Sequence, residues 1–181
     1  MGPILVVILR LFVPLTILRW PFWGALVAIL LDTHDQNMVR WFGSGWIPWL
    51  DTAFGQHYQL TDKLLDMYYL TLELIVVWRW QNGMIRKTAQ YLYFWRLLGF
   101  ITFEITRWAP VLILGPNVFE NFFIFCLVVE RYFPQFEINR KNLPIILIAI
   151  TIPKIAQEYM IHVLDSRPYV QFKQYLFGLF R

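Results

Sequence analysis

Apolar positions fall into six runs along the chain, each interrupted by a short polar or Pro/Gly-containing break. The first covers about 3–19, with Arg10 inside it and Arg19 at its end. Trp20-Pro21 restarts the chain, and the second run covers about 21–34. That is short for a bilayer span, so the helix is expected to continue past Asp35 in a protein interior. A Trp-rich connection with Gly43-Ser44-Gly45 and Pro48 follows. The third run, about 60–79, ends in Trp78-Arg79-Trp80, and Gln81-Asn82-Gly83 reads as a turn. The fourth covers about 88–107. The fifth, about 109–133, is broken by Pro110 and Gly115-Pro116. The sixth, about 143–164, has Pro144 in its first turn and Pro153 inside. The pattern predicts an all-α, polytopic integral membrane protein: one bundle of six transmembrane helices in a single domain, 1–181, with a surface tail at about 166–181.

Composition points the same way. Of 181 residues, 58% are hydrophobic, 19% aromatic and only 15% charged, less charge than an ordinary globular domain carries. Trp, Tyr and Phe beside the apolar runs are what interfacial belts would use. The N-terminus lacks a basic leader and a small-residue cleavage site, so it reads as a retained first helix. A net charge of +4 without a basic stripe argues against nucleic acid and suits an anionic lipid surface. Cys126 is the single cysteine, which excludes an internal disulfide and a cysteine metal site. Walker loops, nucleophile elbows and zincin helices are absent, and three histidines, two of them beside loops, disfavour haem.

Candidate chemistry sits in the second and third runs. Asp32 and Asp35 are spaced i, i+3 and share a helix face; Asp62 and Asp66 are spaced i, i+4 and share another, with Glu73 two turns deeper. An antiparallel pair of helices brings both clusters to one end. Carboxylates so close repel unless neutralised, and a hard divalent ion such as Mg²⁺ or Mn²⁺ prefers oxygen ligands. Arg40, beyond Asp35, is placed to clamp a phosphate. The plainer alternative is that these acids mark helix ends at a water interface. His34 and His57 flank the clusters, as extra ligands or as solvated side chains.

Asp32-Thr-His-Asp35-Gln-Asn-Met-Val-Arg40, followed by Tyr58-Gln-Leu-Thr-Asp62-Lys-Leu-Leu-Asp66, resembles the signature of the CDP-alcohol phosphatidyltransferases. That signature reads D-x-x-D-G-x-x-A-R and then G-x-x-x-D-x-x-x-D, within a region here at about 20–80. The resemblance implies a membrane-embedded, divalent-metal-dependent enzyme of phospholipid metabolism. Such an enzyme transfers a substituted phosphate from a CDP-linked donor to an alcohol and releases CMP. Asp32, Asp35, Asp62 and Asp66 would be the metal ligands, Asp62 or Asp66 the base, and Arg40 and Arg96 phosphate contacts. Arg10 and Pro14 in the first run and Trp20-Pro21-Phe22 opening the second also resemble bacterial members. Gln36, Val39 and Tyr58 depart from signature small residues, and the spacer after Arg40 is longer than the family's. Two registers remain for the second half: Asp62-x-x-x-Asp66 as the closing pair, or Leu60-Thr61-Asp62-Lys63 as the family's ending, with Asp62 the last aspartate. The rival reading is a non-catalytic membrane subunit or scaffold with a degenerate site. Lipid, a CDP-linked donor and a homodimer or membrane partner are the associations this allows.

Three further features carry polar chemistry. Lys154, Glu158 and His162 recur every four residues, either as the wall of a polar cavity with Lys154 on a headgroup or as an ion-pair ladder within the helix. Glu104 with Arg107, and Glu130 with Arg131, read as local neutralisation. Arg10 has no acid near it in sequence, so it snorkels or pairs with a carboxylate on another helix.

Overall fold

Pro14 fixes where the first helix ends. The computed structural model describes residues 2–42, 48–106, 111 and 115–162; the side chains of 2–4, 35–61 and 160–162, His162 among them, lie outside that description. Helix α1 (Gly2–Phe12) passes into a 3-10 segment, Val13–Leu18. Proline lacks an N–H and its ring crowds the carbonyl four residues earlier, here that of Arg10, so the ladder tightens. Arg19 and Trp20 N–H groups both donate to the Thr16 carbonyl, at 3.1 and 2.7 Å, and close the segment. Pro21 then opens α2 (Pro21–Phe42) at its first position, where a missing N–H costs nothing. Helix α3 covers Pro48–Val77, α4 Gly83–Thr106, α5 Val118–Tyr132 and α6 Leu143–His162. No strand occurs among the described residues, and the chain is all-α.

Two compact units emerge: Met1–Lys87 with Phe123–Pro134, and Thr88–Phe122 with Gln135–Arg181. In the first, the 3-10 segment lies on α2 at Gly24. A Cβ on Gly24 would stand 2.5 Å from the Ile17 backbone nitrogen, so only glycine permits this approach. Ile17 is fully buried there. Tyr68 of α3 donates to the Leu11 carbonyl at 2.9 Å, tying α3 to the end of α1. Trp80 stacks on Phe123 with ring centres 5.6 Å apart, and Arg131 lies over Phe22, Trp23 and Tyr132 at 5.5–5.7 Å. The Asn82 side chain caps α4, accepting from the Met84 and Ile85 N–H groups.

In the second unit, Gly99 and Gly115 meet backbone to backbone; a Cβ on Gly99 would lie 2.9 Å from the Gly115 Cα. Tyr93 packs edge-on against Phe119, which is fully buried. Asn139 and Asn142 exchange backbone and side-chain hydrogen bonds ahead of α6.

The expected integral, multi-pass membrane topology is overturned. No helix among the described residues is long and apolar enough to cross a membrane. A span needs about 20 consecutive apolar residues. Helices α1 and α5 have 11 and 15 residues. The longer ones are cut by charge: Asp32, Asp35 and Arg40 in α2; Asp62, Lys63, Asp66 and Glu73 in α3; Arg86, Lys87, Arg96 and Glu104 in α4. In α6 the apolar stretch closes at Pro153-Lys154. The expected tail at about 166–181 lies outside the described residues.

Candidate metal and phosphate site

Arg10 stands in the last turn of α1, where the helix dipole favours a cation. Its side chain is buried, and it reaches three carboxylates from two other helices. Nη2 donates to Asp32 Oδ1 and to Asp66 Oδ1, each at 2.5 Å, and Nη1 donates to Asp62 Oδ1 at 2.6 Å. Asp32 comes from α2, and Asp62 and Asp66 from one face of α3. Lys63 adds a second cation, with Nζ 3.6 Å from Asp62 Oδ2 and 3.5 Å from Asp66 Oδ2. Asp32 is the most open of the acids at 32% side-chain exposure, and Asp66 the least at 12%.

The formal charges do not balance. Arg10 and Lys63 face three carboxylates. The surplus falls on Asp32: burial, joined by the nearby Asp66 carboxylate, pushes it up to about 9 against the pull of Arg10. The Arg10 guanidinium loses solvation on burial, yet the three carboxylates outweigh that loss and hold it above its ordinary value. Burial and the facing Asp66 carboxylate thus favour one proton held by the Asp32–Asp66 pair over three ionised acids. One carboxylate oxygen from each of Asp32, Asp62 and Asp66 lies within 4.8 Å of the others. Three hard oxygen donors at that spacing fit a cation such as Mg²⁺ or Mn²⁺.

Of the residues singled out in the sequence, Asp32, Asp62 and Asp66 come together. Asp35 and Arg40 lie on α2, but their side chains, and those of Gln36, Val39, His57 and Tyr58, lie outside the described residues. Arg96 and Lys154 belong to the second unit. Arg96 is buried and donates from Nη1 to the Gly115 carbonyl at 2.9 Å. Lys154 Nζ lies 3.7 Å from Glu158 Oε1 and 3.2 Å from Gln157 Oε1. His34 Nδ1 meets the Leu30 carbonyl at 2.9 Å within its own helix. Glu73, on the α3 face of Asp66, is fully buried.

Of the two readings for Arg10, snorkelling or pairing with a carboxylate on another helix, the second holds, and it meets three carboxylates rather than one. Its signal was present: a lone cation in an apolar run without a nearby acid demands a distant partner. Lys63 lies inside the quoted motif, and only its spatial role was missing.

Compared with known protein families, with curated proteins and with solved structures, the chain matches none.

Proposed function

We propose that the first unit houses a divalent-metal-dependent phosphotransfer site similar to that of CDP-alcohol phosphatidyltransferases. The observation that carries this reading is the convergence of Asp32 with Asp62 and Asp66 within 4.8 Å. These are acids from both halves of the motif, brought together across α2 and α3. In this reading Asp32, Asp62 and Asp66 would hold Mg²⁺ or Mn²⁺. Such an ion, if bound, would supply positive charge for a pyrophosphate. It also adds positive charge to a cluster that already contains Arg10 and Lys63, which favours an anionic phosphate. Asp62 or Asp66 takes the proton of the acceptor hydroxyl. The hydroxyl oxygen forms a bond to the donor phosphorus, the bond to the cytidine-side oxygen breaks, and CMP leaves.

An open apolar groove of about 360 Å³ belongs to the same unit, lined by Val13, Thr16, Trp20, Trp23, Gly24 and Val27. It begins about one turn beyond Arg10, and the alkyl chain of a lipid substrate is the class of group that fits it.

A second reading, a non-catalytic subunit, is favoured by one specific observation: Arg10 already occupies the centre of the carboxylates. In that case Arg10 is a permanent counter-ion and the cluster is a packing device. Release of CMP from CDP-diacylglycerol, assayed with Mn²⁺ and a panel of alcohols, separates the two. The enzyme reading predicts metal-dependent CMP release that Asp62→Asn or Asp66→Asn abolishes. Absence of release with every alcohol, from protein that is folded, favours the subunit.

A further inference from the structure

Both oxygens of Asp62 and of Asp66 already face a cation. Arg10 Nη1 donates to Asp62 Oδ1 at 2.6 Å, and Nη2 donates to Asp66 Oδ1 at 2.5 Å. Lys63 Nζ lies 3.6 and 3.5 Å from the Oδ2 atoms of the same two acids. Arg10 Nη2 also donates to Asp32 Oδ1 at 2.5 Å, so it stands between a carboxylate of α2 and one of α3. An ion that bridged those two oxygens would need much the same place, since Mg²⁺ lies about 2.0–2.1 Å from each ligand oxygen. A guanidinium nitrogen and a metal ion cannot share it.

Charge decides when one occupant gives way to the other. Arg10 and Lys63 bring two positive charges to three carboxylates. A divalent ion in place of Arg10 brings three together with Lys63, which balances the acids. A monovalent ion only repeats what Arg10 supplies. The exchange leaves the Arg10 guanidinium over as one positive charge. Arg10 is 4% exposed, and a buried cation without a partner is strongly disfavoured. The exchange is therefore opposed until an anion is there to receive the guanidinium.

We propose that Arg10 is a displaceable counter-ion that makes metal binding at this cluster conditional on a phosphate-bearing ligand. Without the ligand, the guanidinium holds the Oδ1 atoms of Asp32, Asp62 and Asp66 and keeps a divalent ion off them. With it, the guanidinium pairs with phosphate oxygens and the three carboxylates are released to the ion. Metal and ligand then raise each other's affinity by the same factor. The inference rests on the metal-site reading of the cluster. It differs from a permanent counter-ion, which would exclude the metal whatever else is bound.

The test is Mn²⁺ binding by the purified full chain, read from the electron paramagnetic resonance signal of the free ion. It is run with and without CMP, with the nucleotide's own Mn²⁺ complex subtracted. Arg10→Gln and Arg10→Lys are compared with the parent. Without CMP, Arg10→Gln should bind Mn²⁺ about tenfold or more tightly than the parent, the worth of one charge-assisted hydrogen bond that no longer has to be broken. CMP should tighten Mn²⁺ binding about fivefold or more in the parent and leave it unchanged in Arg10→Gln. Arg10→Lys keeps the charge but replaces the fork by a single ammonium, so its Mn²⁺ affinity should fall between the two. That variant carries the comparison if Arg10→Gln does not fold. Equal Mn²⁺ affinity in the parent and the folded variants, or an equal effect of CMP in all of them, overturns the proposal and leaves the metal site standing. No Mn²⁺ binding by any of the folded proteins, with CMP present, overturns the metal-site reading and the proposal with it.

Discussion

Arg10 and Asp66 meet at 2.5 Å although 56 positions separate them in sequence. Around that contact three helices converge: α1 supplies the cation, α2 supplies Asp32 and α3 supplies Asp62 and Asp66. Removing the cation leaves like charges facing one another in a partly buried place. Arg10→Met is therefore expected to destabilise the protein by roughly 3 kcal/mol in metal-free buffer, at the low end for breaking a buried ion pair. Urea unfolding with a chelator present reads this as a lower midpoint with an unchanged slope. An unchanged midpoint would mean that the acids do not depend on Arg10.

The upward shift of Asp32 gives stability a definite pH dependence. The folded-state value, about 9, lies above the ordinary 3.8, so the folded protein binds the proton more tightly than the unfolded chain. The stabilisation is full below the ordinary carboxylate value and is lost as pH rises through about 9. Between pH 5 and 9, in chelator, this part of stability should fall steadily in the parent. Asp32→Asn, which carries no charge to suppress, should flatten the fall and unfold at a higher temperature than the parent at the alkaline end. Parallel profiles for the two proteins would contradict a raised Asp32.

Gly24 and Gly83 form an internal pair for packing. A Cβ at Gly24 meets Ile17 and Thr16 backbone atoms at 2.5–2.7 Å, whereas one at Gly83 meets nothing within 4 Å. Backbone cannot swing aside as a side-chain tip can. Gly24→Ala should cost about 1–3 kcal/mol as overpacking. Gly83→Ala, at the start of α4, should be neutral or stabilise by about 0.5–1 kcal/mol through the unfolded chain. Denaturant midpoints of the two variants check both signs. Because α2 also carries Asp32, Gly24→Ala should in addition weaken any metal response of the carboxylate cluster.

Much of the helical plan was legible. The sixth run at about 143–164 corresponds to α6, and the fourth to most of α4, whose start moves back to Gly83 because Asn82 caps it. The run at about 109–133 was expected to break at Gly115-Pro116, and α5 starts directly beyond, at Val118. Less legible was α3, which opens at Pro48 rather than near residue 60; its first turns are too polar to register as an apolar run. The meeting of Asp32 with Asp62 and Asp66 followed from face-sharing spacings. Arg10 was legible as a cation that snorkels or pairs with an acid on another helix, but which acids it meets was not, since a pairing over such a separation leaves no local pattern. Membrane crossing was the wrong conclusion from a correct composition: apolar content was counted per run, while the acids and bases inside α2, α3 and α4 interrupt each run before it reaches spanning length.

The proposed role of Asp32, Asp62 and Asp66 is to hold a divalent ion that serves a nucleotide-linked phosphate. Its most direct test is the thermal unfolding of the purified chain with Mn²⁺, with CMP, and with both. A ligand that binds only the folded state stabilises it by about 2.7 kcal/mol at roughly a hundredfold excess over Kd, enough to move Tm by several degrees in a domain of this size. The account predicts a rise with Mn²⁺, a larger rise when CMP is added, and loss of both in Asp32→Asn. No rise with Mn²⁺ in the presence or absence of CMP, at saturating concentrations, would contradict it.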